Sequence, residues 1–111
     1  MNGVILPSEV LENQNITSST GTILVQNCQR VGKIVVFNCF ITLPTISAGT
    51  TILNFPWKTK GRYDFMTALS NGNKAFYLSI ADNTTALIAN TGAGSMEAGS
   101  YIITGEYVTN D

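Results

Sequence analysis

The chain of 111 residues contains no histidine, and that absence removes more chemistry than any other feature. Ser-His-Asp and Cys-His nucleophile systems need an imidazole base, and imidazole is also the commonest metal ligand. The two cysteines, Cys28 and Cys39, have neither CxxC nor CxxxC spacing, so no zinc pattern is present. No Gly-rich phosphate cradle stands between a strand and a helix. Charged residues make up 12%, about half of the roughly 25% of an ordinary soluble domain. Six Lys and Arg against seven Asp and Glu leave a net charge of −1, with no basic footprint for nucleic acid. No apolar run approaches the roughly 20 residues of a membrane-spanning helix. The opening MNGVILPSEV has neither the basic region nor the long apolar stretch of a signal peptide.

Thr, Ser, Asn and Gly take the place of the missing charge, a composition common in all-β extracellular and particle-surface proteins. Apolar residues at 44% argue against disorder, and the length suits one domain with a single core. Periodicity predicts strands nearly throughout. They are Thr22 to Asn27, Ile34 to Leu43, Thr50 to Trp57, and Arg62 to Ser70. Ala75 to Asp82, Thr84 to Asn90 and Ser100 to Val108 complete the set. Asn71-Gly72 suits a two-residue type I′ hairpin, and Asp82-Asn83 another tight turn. Short strands punctuated by Gly and Asn define an all-β, antiparallel β-sandwich or barrel, jelly-roll-like, over residues 21–111. Residues 1–20 read as a polar arm, with one helical turn at SEVLEN capped by Ser8. A hairpin turning near QRVGK sets Cys28 and Cys39 several rungs apart, so two buried thiols are expected rather than a disulfide.

Carboxylates are the one catalytic option left. Glycoside hydrolysis uses two of them about 5–9.5 Å apart. Asp64, Asp82, Glu97 and Glu106 are available, and Asp64 and Glu106 meet if their strands are neighbours. Nothing in the spacing singles out a pair, so solvated strand and turn residues are the expectation, with no catalytic residue, metal or cofactor assigned. Recognition-type residues concentrate in NFPWKTKGRYDF, Asn54 to Phe65. Aromatic faces stack on the C–H surfaces of sugars while Asp, Asn and Arg take the hydroxyls, and the same residue types dominate protein interfaces. Candidate ligand residues are therefore Asn54, Trp57, Arg62, Asp64 and, on the next strand, Tyr77. For Trp57, core packing, a subunit interface and a ligand platform all remain open.

The strand GKIVVFNCFITLP is apolar on both sides. Val35, Phe37, Cys39, Ile41 and Leu43 form one face. Ile34, Val36, Asn38, Phe40 and Thr42 form the other. Soluble monomers avoid such a patch in the open, so a cover is expected. Either this face lines a three-fold axis, with Asn38 fixing register, or the N-terminal segment or a long loop folds over it.

Gly32-Lys33-Ile34-Val35-Val36, Gly49-Thr50-Thr51-Ile52 and the terminal Gly99-Ser100-Tyr101 strand follow one another as in a known group of proteins. From Thr20 to Val108 the chain resembles the C-terminal head domains of bacteriophage tail-fibre and receptor-binding proteins. LNFPWKTKGRYDF departs from that group's Leu-Pro and Arg-Pro pattern. The resemblance implies a trimeric head at a virion tail tip or baseplate, assembled in the bacterial host cytoplasm alongside other virion tail proteins. It implies non-catalytic adsorption to host cell-wall polysaccharide or teichoic acid, and an N-terminal arm that is the end of a stem. A structural baseplate, fibre-tip or decoration protein without glycan binding is the alternative. A polysaccharide hydrolase comes third.

Overall fold

Ten strands and no helix are formed by the residues that the computed structural model describes, 11–69, 75–90 and 94–111. They are β1 (Leu11–Asn13), β2 (Thr22–Val31), β3 (Ile34–Leu43), β4 (Ile46–Ser47) and β5 (Thr51–Asn54). β6 (Tyr63–Leu69), β7 (Ala75–Ile80), β8 (Ala86–Ala89), β9 (Ser95–Met96) and β10 (Gly99–Val108) follow. Eight of them make one antiparallel sheet in the order β1-β2-β3-β10-β6-β7-β8-β5, while β4 and β9 pair separately. The sheet curls into a half-barrel, as the antiparallel sandwich-or-barrel reading requires.

The hairpin between β2 and β3 shows why the sequence folds this way locally. Val31 pairs with Ile34, which leaves only Gly32 and Lys33 to turn. Gly32 has φ +61°, while Lys33 keeps a negative φ. That combination is the type II′ pattern, whose twist matches the flanking strands and which demands glycine first. The Asp82-Asn83 turn forms as expected, with Asn83 in the left-handed region at φ +58°. Asn71-Gly72 lies outside the described residues.

Alternation then sends one face inward. Val35, Phe37, Cys39, Ile41 and Leu43 of β3 are buried beside Tyr101, Ile103 and Tyr107 of β10. Phe37 is the hub of an aromatic cluster. Its ring lies 4.7 Å from that of Phe55, 5.2 Å and edge-on from Phe65, and 6.3 Å from Tyr107. Gly105 sits opposite Phe37 in the ladder, and a Cβ there would come within 2.7 Å of the Phe65 ring. Glycine at this position lets the Phe37 and Phe65 rings meet edge to face.

Three details depart from the expected pattern. The strand at Thr51 stops at Asn54, and a register shift between Thr51 and Leu53 turns both Ile52 and Leu53 inward. Ser79, expected outward, is 6% exposed between its ladder neighbours Asp64 and Ile88. Leu11 to Asn13 is a strand on the edge of β2 rather than the end of a helical turn.

The segment expected as an arm is part of the sheet's closure from Leu11 onward. Gln14 N–H donates to the Cys28 carbonyl, and Ile16 is buried at 3%. Thr17 and Asn54 exchange backbone hydrogen bonds of 3.0 and 2.8 Å. Ser18 Oγ and Thr20 Oγ1 each donate over 2.7 Å, to the carbonyls of Ile52 and Thr51. Residues 17–20 thus cover the free edge of β5 and then turn into β2.

Cys28 and Cys39 are free, buried and two rungs apart, since Cys28 faces Phe37 and Cys39 faces Gln26. Burial pushes both thiols up to about 11. Unfolded thiols ionise near 8.5, and the folded ones keep their protons about two pH units longer, so stability falls as pH rises between those values. Urea unfolding from pH 8 to 11 should show a loss on the order of 2 kcal/mol or more, shallower in Cys28→Ala/Cys39→Ala. Gly105→Ala should cost about 1–3 kcal/mol in the same assay, because the Phe65 ring must move.

Candidate functional site

The structure brings together some of the candidate residues and separates others. Arg62 Nη2, just before β6, and Asp64 Oδ1 on its open face form an ion pair of 3.2 Å, with both side chains more than half exposed. Tyr77 stands on the same face of β7, paired with Met66, and is 59% exposed. Asn54 is on β5, beyond β7 and β8, with its backbone tied to Thr17.

Trp57 is core. It is 5% exposed, and the Arg30 guanidinium lies over its ring at 5.8 Å while donating to the Gly32 carbonyl. A stacking platform needs an open ring face, and this ring presents none. Its carbonyl accepts a 2.6 Å bond from Tyr107 Oη, whose phenol burial holds well above its ordinary pKa. Around it, Thr109 Oγ1 donates to the Lys58 carbonyl at 2.6 Å and Lys58 N–H donates to Asp111 Oδ2 at 2.8 Å. The aromatic and polar residues of NFPWKTK therefore anchor the C-terminal end of β10.

Of the four carboxylates, Asp64 is paired with Arg62, and Asp82 Oδ1 accepts the Gly61 N–H at 2.7 Å across a turn. Tyr101 Oη donates to the backbone carbonyl of Glu97 at 2.5 Å. β6 and β10 are neighbours, which Asp64 and Glu106 needed in order to meet. Yet they pair only at Tyr101–Leu69 and Ile102–Ala68 before parting. Among the described residues no group of three or more His, Cys, Asp or Glu is placed to hold a metal ion.

The parting of β6 and β10 opens a cavity of about 160 Å³ lined by Ile34, Tyr63, Glu106, Tyr107 and Val108. Tyr63 holds the fork together: its Oη accepts the Val108 N–H at 3.0 Å, a hydrogen bond that the diverging strand no longer supplies. Glu106 was legible only as one carboxylate among four, because the fork arises from strand geometry and leaves no mark in local spacing.

The outward side of the sheet is the second feature. Ile34 and Val36 are 43% and 50% exposed, Phe40 is half-buried and Asn38 is exposed. None of the described residues covers them by a strand or loop pairing, and β1 lengthens the sheet sideways. The register continues this side across the sheet. Val25, Phe40, Ile102, Ala68 and Ala75 form one ladder row through five strands, with Val25 67% and Ile102 52% exposed. Beside it, Asn27, Asn38 and Thr104 make a polar row, and beyond that Val31, Ile34 and Val108 a second apolar one. Sequence periodicity found the β3 members and missed Val25 and Ile102, since no local pattern says that their strands flank β3.

No protein-family model matches the chain, and no curated protein matches it.

Trp57→Ala should act as a core cavity, costing about 3–5 kcal/mol in urea unfolding. Trp57→Phe should recover part of that loss. A Trp57→Ala variant as stable as the parent would contradict the packing described.

Proposed function

We propose that the chain is a non-enzymatic attachment head of the virion-tail type. In this reading it assembles as a homotrimer through the outward side of its sheet and adsorbs to host surface saccharide. One observation carries the assembly: an exposed apolar row running across β2, β3, β10, β6 and β7. Covering a half-exposed Val, Ile or Phe contributes about 1 kcal/mol per side chain. A row of such residues in each of three copies favours association strongly. The Asn27, Asn38 and Thr104 row beside it supplies hydrogen-bonding groups that fix register where apolar contact alone would let chains slide. Adsorption is supported by the likeness to phage heads and by the exposed Arg62, Asp64 and Tyr77 group.

Light scattering at micromolar concentration should give the mass of three chains for the parent and of one chain for Phe40→Asp/Ile102→Asp, with unchanged circular dichroism. A single-chain mass for the parent would end the assembly reading. On an array of bacterial cell-wall glycans the trimer should be retained without releasing reducing ends. A trimer that no glycan retains would favour the purely structural virion role, and reducing ends that disappear in Asp64→Asn or Glu106→Gln would favour the hydrolase.

A further inference from the structure

We propose that the cavity at the β6/β10 fork binds a protonated amine carried on a sugar-sized body, an aminated saccharide rather than an N-acetylated or neutral one. This deepens the adsorption reading and rests on it for its biological use. The cavity is small and mostly apolar, with Ile34 and Val108 as aliphatic walls and the Tyr63 ring as the aromatic one. A volume of about 160 Å³ suits the amine-bearing end of a hexosamine rather than a longer saccharide. Glu106 is the one charged residue of the lining, and among the described residues its carboxylate has no ion pair and no hydrogen bond.

Three cations near this end of the sheet have partners of their own. Lys33 Nζ donates to the Asp111 carbonyl, Arg30 to the Gly32 carbonyl, and Arg62 pairs with Asp64. An anionic ligand would meet the unpaired Glu106 carboxylate in a lining that carries no cation. A neutral sugar would leave that carboxylate partly desolvated without a charged partner, which is unfavourable. A cationic amine instead gains a charge-assisted hydrogen bond, roughly twice as strong as a neutral one, and an aromatic face beside it. Tyr63 adds selectivity. Its Oη already accepts the Val108 N–H, so its own hydrogen remains to donate to a ligand oxygen next to the amine. An amine with an adjacent hydroxyl satisfies both groups at once.

The cavity is separate from the Val25, Phe40 and Ile102 row that carries the proposed assembly. It lies at the Ile34 end of β3, across the Asn27, Asn38 and Thr104 row from Val25, Phe40 and Ile102.

Nuclear magnetic resonance titration of the intact chain with glucosamine, N-acetylglucosamine and glucose tests this. Glucosamine at pH 6 should shift the amide signals of Ile34, Tyr63, Glu106 and Val108, with the other two sugars at least about tenfold weaker. Raising the pH through the amine's own pKa should abolish the shifts. Glu106→Gln should keep a dispersed, folded spectrum and lose the glucosamine response, while Glu12→Gln keeps it. Equal responses to the three sugars, no response at millimolar glucosamine, or an undiminished response in folded Glu106→Gln would each overturn the proposal. Glycan-array retention that survives Glu106→Gln unchanged would sink this site and leave the adsorption reading standing. A glucosamine response without retention on any glycan would do the reverse.

Discussion

A curled sheet of eight strands has two ends, and each end is a row of backbone groups without partners. How those rows are satisfied decides the rest of this molecule. At β5 the answer is chemical rather than architectural. Residues 17–20 lay two backbone bonds and two hydroxyl bonds along the edge, and the same chain then becomes β2 near the opposite end of the strand order. Closure holds the inner face against itself, so the Phe37, Phe55, Phe65 and Tyr107 rings meet across the interior instead of facing a second layer. The high Ser and Thr content that stands in for charge has a structural use here. Short hydroxyls reach backbone carbonyls without the entropy of long side chains.

Closure also explains why Trp57 of NFPWKTK is turned inward. A half-barrel needs its open end filled, and β10 needs its C-terminal end held. Trp57 fills and Thr59, Thr109 and Tyr107 hold, with Thr59 fully buried and donating to the Ala81 carbonyl at 2.7 Å. A cluster of Trp, Tyr and Lys looks the same in sequence whether it faces a ligand or plugs a barrel. Only long-range pairing tells the two apart, here the Thr59–Thr109 bridge.

Legibility followed locality. β3 and β10 were readable nearly to the residue, because ten-residue alternation with one buried face constrains register strongly. β4 and β9 were not, since two residues carry no period. The Ile52–Leu53 bulge defeated alternation by placing consecutive residues on one side. Asn15 to Thr20 read as a polar arm because hydroxyl and amide side chains mark solvent and edge-capping alike. In the recognition group, Arg62, Asp64 and Tyr77 share an exposed face as alternation requires, whereas Asn54 and Trp57 were joined to them only by nearness in sequence.

The fork between β6 and β10 follows from the same closure. Beside it the Phe65 ring lies close over Gly105, where a side chain on β10 would not fit. The strands hold two rungs at Ile102 and then part, and Tyr63 replaces the missing backbone partner with its phenol. A side chain used in this way must stand beside the β10 backbone, next to whatever the outward residues of that strand carry. On β10 those are Glu106 and Val108, with Ile34 opposite Val108 in the ladder. The parting of the two strands thus leaves a phenol, a carboxylate and two aliphatic side chains around one opening. The inward demand for aromatic volume and the outward chemistry of the cavity are two consequences of the same splayed pair of strands.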